Sequence, residues 1–395
     1  MQRLGVFDSG IGGFNVVSEL RKYTNLDIVF LADHKNLPYG NKSEELLKAI
    51  LITNMQWFLD KDIKDVLIAC NTASTYIDFL REKFPDINIY SIIEITANQF
   101  TEAKKLLIFG TDRTVSSKIY NRHLKKAANY KALSDLAGLV EYNDKNIIKE
   151  YLVRELSSVD LDQDFLLACT HYSIVKEIFE EILQKEVYDS LAPTIEFFKD
   201  FTGDKKLTVY TSANIKVLKT QLLEIFNYDL DVFPKDDEFK IVVVSDNHGR
   251  HRPITKVLSD NKDAAAFIHC GDVELDPQLV SDFYVVNGNN DFYYTYPDNL
   301  IVQVGRLKLY ITHGDEHPRH NRRKKIYKDG ALLNADIICY GHEHIYQETV
   351  INDTLLINPG SLFYNRDQTP NSYAIISVNK TGYTVKRVNI EGDIL

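Results

Sequence analysis

Short apolar runs recur along the chain and end in the same way, on a small or polar residue that leads through a turn into an amphipathic stretch. RLGVF, DIVFLA, DVLIAC, INIYSII, KKLLIFG and DFLLAC are strand-length, and segments with helical spacing such as SEELLKAILITNMQWFLDK separate them. That alternation predicts βαβ units, hence an α/β fold built on parallel sheet. The pattern breaks at NYDLDVFPKDDEFK, a charged stretch holding Pro234, which reads as a linker at 231 to 238. KIVVVSD then opens a second α/β unit, followed by AAFIHCGD, DFYVVNGNND, LKLYITHGD, ADIICYGHEH and TLLINPGS. SYAIISV and GYTVKRVNI close it as an antiparallel pair. At 395 residues the chain exceeds the ~250–300 at which one core stops growing, so a domain at 1 to 230 and another at 239 to 395 are expected.

A formal net charge of −10 argues against general nucleic-acid affinity. No segment joins a basic region to a long apolar run, and no window nears 18 uncharged apolar residues. The expectation is a cytoplasmic protein with no signal peptide and no membrane span. Four cysteines, none in a CxxC pair, predict free thiols rather than a disulfide framework.

Two of those thiols sit in matching phrases. DVLIACNTAS surrounds Cys70 and DFLLACTHYS surrounds Cys169; each follows an apolar strand and precedes a polar turn into a helix. The C-terminal edge of a parallel sheet is where ligands bind, and a helix N-terminus lowers a thiol pKa. Two thiols across a cleft can invert a carbon centre without a cofactor: one removes a proton as thiolate and the other returns one as thiol. The opening LGVFDSGIGG places Asp8 at a strand end beside a glycine-rich turn whose N–H groups could hold a carboxylate. A dinucleotide fingerprint would need glycine at Asn15.

FDSGIGG, ADHKNLPYG, ACNTAS, GTDRTVSSKIY and ACTHYS, in this order and spacing, resemble the glutamate racemase family over roughly residues 1 to 228. The resemblance implies two similar α/β lobes, the second at about 98 to 205, with glutamate between them and no cofactor. It makes Cys70 and Cys169 the two acid/base residues, with Asp8 and His171 each assisting a thiol. Ser9, Pro38, Tyr39, Gly40, Asn71, Thr72, Thr114 and Thr170 would hold the substrate, and Glu141 would line the site. D-glutamate for peptidoglycan is the implied product, with aspartate the rival substrate. A non-catalytic binding or regulatory module is the other reading of this half. Ala168 and Ser173 stand where the family usually has glycine and proline.

From residue 240 onward five polar clusters, SDNHG, CGD, NGNND, THGD and GHEH, each follow an apolar run. Strand ends gather them on one sheet edge, and their carboxylates, imidazoles and amide suit two divalent metals such as Mn, Fe, Zn or Ni. This part resembles the calcineurin-like metallophosphoesterases, in their small phosphodiesterase branch, over about residues 239 to 390, a sheet sandwich with flanking helices. By position, Asp246, His248, Asp272 and His344 would hold one metal and Asp272, Asn289, His313 and His342 the other. Asn290 stands where larger relatives carry an acid histidine, so easily departing leaving groups or a neighbour such as His317 are expected. The run PRHNRRKK, 318 to 325, reads as a solvated helical face or as a basic lip for a phosphorylated substrate. Cys270 and Cys339 read as core. Implied partners are glutamate and an unspecified phosphoester, no membrane, nucleic acid only as a phosphodiester substrate, and a homodimer as the candidate assembly.

Overall fold

The first four apolar runs become strands β1 (Arg3–Asp8), β2 (Asp27–Ala32), β3 (Asp65–Ile68) and β4 (Asn88–Ser91), paired in parallel in the order β4-β3-β1-β2. Every residue of β2 is buried, which requires cover on both faces of the sheet. Helix Glu44–Asp60 covers one face, packing Leu47, Leu51, Met55 and Phe58 with Phe7, Leu31, Val66 and Ile68. Helix Gly12–Tyr23 covers the other, with Phe14 edge-on to Phe30 at 5.6 Å. A second parallel sheet, β6-β5-β7, is formed by β5 (Leu106–Gly110), β6 (Asn129–Ala132) and β7 (Asp164–Ala168), with a core of its own around Phe109, Phe165, Leu167 and Phe179. Strand β8 (Leu207–Thr211) adds to the first sheet beside β2. The computed structural model describes residues 3–100, 105–142 and 145–395.

The chain divides into two units, one of residues up to Tyr210 with Gln221–Asp231, the other of Thr211–Thr220 with Val232–Leu395. Where charge and proline predict a linker, Val232–Pro234 forms a short strand, β9. In the second unit β10 (Phe239–Val244), β11 (Ala264–His269) and β12 (Phe283–Val285) are parallel. Antiparallel β18 (Ser372–Asn379) and β19 (Gly382–Asn389) extend them in the order β12-β11-β10-β18-β19. The other sheet runs β13 (Asn299–Val304), β14 (Leu307–Thr312), β15 (Ile337–Cys339), β17 (Thr354–Pro359), β16 (Tyr346–Ile351). Ile254 and Val257 of helix His251–Asp260 pack on Val242, Val244 and Phe267, and Ile326 of helix Arg322–Leu332 packs on Tyr310, Ile338 and Leu356. Side chains pointing the opposite way, Ile241, Val243, Ile311, Ile337 and Ile357, are equally buried, so the sheets form the two halves of a sandwich.

Among the described residues, no helix is long and apolar enough to cross a membrane. All four cysteines are free and buried.

Candidate active sites

Strand ends build the first site. Asp8 closes β1, Cys70 caps the short helix Asn71–Ser74 after β3, and Cys169 caps helix Thr170–Ile174 after β7. The two lobes meet here through hydrogen bonds: Thr170 Oγ1 donates to Asp8 Oδ2 at 2.9 Å, Tyr120 donates to Asn71 Oδ1 at 2.7 Å, and the Thr72 and Thr111 hydroxyls are 2.9 Å apart. Gly12 permits the approach. A Cβ there would lie 2.5 Å from Thr170 Oγ1 and 2.8 Å from the His171 backbone nitrogen. The N–H groups of the glycine turn do hold carboxylates, but the protein's own: Gly10 donates to Asp8 at 3.0 Å and Ile11 to Glu141 at 3.4 Å.

Each thiol has a different helper. Cys70 Sγ lies 3.7 Å from Ser9 Oγ, which donates to Asp8 Oδ1 at 3.3 Å, so the Asp8 carboxylate stands one hydroxyl away from the sulfur. Burial and then the Asp8 charge push the Cys70 thiol up, more than the Ala73 N–H and Ser9 bring it down. That corrects the expectation of a thiol acidified by its helix N-terminus: within so dry a site, desolvation of the thiolate is the larger effect. Asp8 is itself raised, by burial first, with His171 pulling the other way. Cys169 Sγ lies 3.9 Å from His171 Nδ1, and His171 Nε2 donates to Glu141 Oε2 at 2.5 Å. Burial lowers the His171 pKa, but its bonds to Cys169 and Glu141 prevail and raise it well above the usual imidazole value. Burial would raise Glu141, yet its bonds to His171 and His34 hold it below the usual carboxylate range.

The expected substrate residues differ in what they offer. The Tyr39 hydroxyl is taken by Asp33 at 2.6 Å and its ring packs 6.1 Å from Phe7, leaving backbone as its offering along Pro38 and Gly40. Thr114 reaches Thr72 through Thr111, at 3.1 Å. The buried amide nitrogen of Asn71 has no hydrogen-bond partner, a donor beside Cys70 that a ligand oxygen would satisfy. His34 and Thr111 lie inside ADHKNLPYG and GTDRTVSSKIY, whereas Gln221 lies outside every motif. Gln221 Nε2 donates to both the carbonyl and Oε1 of Glu141 at 3.1 Å.

The second site is built on left-handed backbone. Asp246, His248, Asp272, His342 and His344 all have positive φ, between 43° and 69°, where the chain leaves its strands. Such concentration of costly conformations marks a functional edge. Gly341 lets two of these loops touch, since a Cβ there would sit 2.0 Å from Ser245 Oγ. One ligand atom each from Asp246, His248, Asp272 and His344 fall within 4.8 Å of one another. Asp246 Oδ1 and His344 Nε2 are 3.1 Å apart. On the other side of Asp272, whose Oδ2 lies 3.8 Å from His248 Nε2 and 3.5 Å from His313 Nε2, Asn289 Oδ1 sits 3.2 Å from His313 Nε2 and 2.7 Å from His342 Nδ1. All seven predicted ligands are brought together, with Asp272 between the two groups.

Outer partners aim the imidazoles. Nδ1 of His248, His313 and His344 meets Glu274 at 2.6 Å, the Cys270 carbonyl at 2.6 Å and the Tyr364 carbonyl at 2.9 Å, leaving each Nε2 directed inward. Asn290 grips Asp272: its backbone and side-chain nitrogens donate to the two carboxylate oxygens, each at 2.8 Å. Asp291 accepts from Val273, Glu274 and Gly288 and clamps two ligand loops together. His317 is engaged by Asp329 at 2.8 Å, and Arg322 of the basic run is buried and paired with Glu343 between the two GHEH histidines. Arg319, Arg323, Lys324 and Lys325 are exposed. Carboxylate, imidazole and amide donors in this mixture fit two divalent cations.

Comparison with known proteins divides the chain into the same two parts. The calcineurin-like phosphoesterase superfamily domain matches residues 239–381. A glutamate racemase of Clostridium novyi (strain NT) is 33% identical over 225 residues, covering 52% of this chain and 86% of that protein. The probable metallophosphoesterase YsnB of Bacillus subtilis (strain 168) is 33% identical over 149 residues, covering 37% of this chain and 88% of that protein. The crystal structure of the glutamate racemase isoform RacE1 from Bacillus anthracis superposes with a TM-score of 0.55 at 22% identity over 60% of this chain and 97% of that one, which establishes the fold. The chain therefore belongs to the glutamate racemase family in its N-terminal part and to the calcineurin-like phosphoesterases in its C-terminal part.

Proposed function

We propose that the chain carries two activities: racemisation of glutamate by two cysteines, supplying D-glutamate for peptidoglycan, and metal-dependent hydrolysis of a phosphodiester. For the first, the carrying observation is that two buried thiols from two lobes have separate acid–base partners, Ser9 and Asp8 on one side, His171 and Glu141 on the other. One sulfur as thiolate takes the α-proton, breaking Cα–H and forming S–H, while the other thiol gives its proton to the opposite face, so the two exchange states in each turnover. The raised Cys70 thiol needs help to ionise, and the α-ammonium of a bound amino acid would bring the required positive charge into the dry site. Asn71 and the Thr72–Thr111–Thr114 hydroxyls are donors for substrate carboxylates.

For the second, the seven ligands and their outer partners carry the reading. Asp246, His248, Asp272 and His344 would hold one dication and Asp272, Asn289, His313 and His342 the other. When bound, two dications supply hydroxide at neutral pH and neutralise charge building on phosphoryl oxygens. Asn290 fixes the bridging carboxylate, and Arg322 braces the His342–His344 loop through Glu343.

Both readings are tested on one preparation, by α-proton exchange of each glutamate enantiomer in heavy water and by a phosphoester panel with Mn added. Exchange of both enantiomers and Mn-dependent cleavage of a phosphodiester are expected. Silence in either assay would remove that activity from the proposal.

A further inference from the structure

Glu141 is shared. Its Oε2 accepts from His171 at 2.5 Å, and its Oε1 accepts from His34 Nε2 at 2.8 Å and from Gln221 at 3.1 Å. The carboxylate side chain is fully buried, and the His34 side chain is 8% exposed, so these bonds lie in a dry setting where a charge-assisted hydrogen bond is strong. His34 joins His171 in keeping Glu141 ionised against its burial, its hydrogen bond pulling that carboxylate down after that of His171. Beyond His171 the chain of contacts reaches one sulfur only: His171 Nδ1 faces Cys169, whereas Cys70 is served by Ser9, Asp8 and the Ala73 N–H.

We propose that His34 is a positioning residue for the Cys169 half of the site, acting through Glu141 on His171. The inference rests on the racemase reading of this site. By donating Nε2–H to Oε1, His34 turns the carboxylate plane so that Oε2 meets His171 Nε2–H, which fixes the His171 tautomer with its Nδ1 lone pair toward the thiol. The Cys169 proton can then pass to Nδ1, giving thiolate and an imidazolium that Glu141 stabilises; the reverse transfer restores the thiol. Gln221 holds the same oxygen from a helix, so the Glu141 side chain survives loss of His34 but with one of its two imidazole donors gone.

The test compares wild type, His34→Ala and His34→Gln, the last keeping an N–H donor at similar reach. One readout needs no substrate: iodoacetamide labelling of Cys169 relative to Cys70, followed by peptide mass, because thiolate is the reacting form and the two sulfurs are similarly buried, at 7% and 6% exposed. His34→Ala should lower the Cys169:Cys70 labelling ratio by about threefold or more, with Cys70 labelling as the control for an intact fold, and His34→Gln should recover most of it. In the racemisation assay His34→Ala should lower kcat by about tenfold with KM changed by less than about twofold, short of the ~10²–10⁴ expected of a direct acid–base group. The deuterium isotope effect should rise for only the enantiomer whose α-proton Cys169 removes. An unchanged labelling ratio in His34→Ala, or a loss that His34→Gln does not recover, would overturn the role of His34 while leaving the racemase reading intact. Failure of unaltered protein to exchange either enantiomer would overturn that reading, and the labelling ratio would still report on His34.

Discussion

The two halves solve the same problem, activating a poor nucleophile or base at neutral pH, with opposite materials. In the racemase half two buried sulfurs are wrapped by donors and acceptors of the protein itself: Ser9 with Asp8, and His171 with Glu141. In the phosphoesterase half, carboxylate oxygens and imidazole nitrogens from separate loops gather within 3.1–3.8 Å of one another. A network of thiols, hydroxyls and one imidazole tunes proton affinity; a gathering of carboxylates, imidazoles and an amide suits a cation. The comparison teaches that the residue types drawn together decide which chemistry a strand-end site can host.

The sharpest break would come from the thiols. Cys70→Ser and Cys169→Ser should each reduce glutamate racemisation by ~10²–10⁴-fold and leave phosphodiester hydrolysis unchanged, as measured on the same preparations. More than about a tenth of wild-type turnover in either variant would end the two-base assignment. Next in size is the bridge. Asp272→Asn removes the negative charge that offsets repulsion between two dications, so both metal content and hydrolysis should collapse, whereas His313→Ala should leave one position partly filled. Metal analysis at matched protein concentration separates them; two metals retained in Asp272→Asn would refute the bridge. Asn290→Ala, which strips only one of the two hydrogen bonds on Asp272, should cost about 10–100-fold in metal affinity or turnover with racemisation untouched. A smaller effect is expected from Thr111→Val: raising the KM for glutamate by about threefold through loss of the hydroxyl that links Thr72 to Thr114, with kcat little changed. A fall in kcat without a change in KM would move Thr111 from binding to chemistry.

Legibility in the sequence follows the same divide. Carboxylate, imidazole and amide clusters after apolar runs are few in type, so SDNHG, CGD, NGNND, THGD and GHEH stand out, and all seven expected residues converge. Buried strands such as β2 and β11 are continuous apolar runs for the physical reason that both their faces are covered. β6 and β8 are half-buried and mixed in polarity, NYKA and LTVYT, and gave no such run. Gln221 lies on a helix outside every motif, and His34, although inside ADHKNLPYG, meets Glu141 across 107 residues of sequence, a pairing that no spacing rule reveals. A helix N-terminus at Cys70 is visible in sequence, while the depth of burial that outweighs it there is not.

The central claim, two chemistries in one chain with only one of them needing metal, is tested most directly by chelation. Protein exhaustively dialysed against EDTA should exchange the α-protons of both glutamate enantiomers at the untreated rate while its phosphodiester hydrolysis falls to background and returns on adding Mn. Racemisation that falls with the metal, or hydrolysis that survives its removal, would contradict the account.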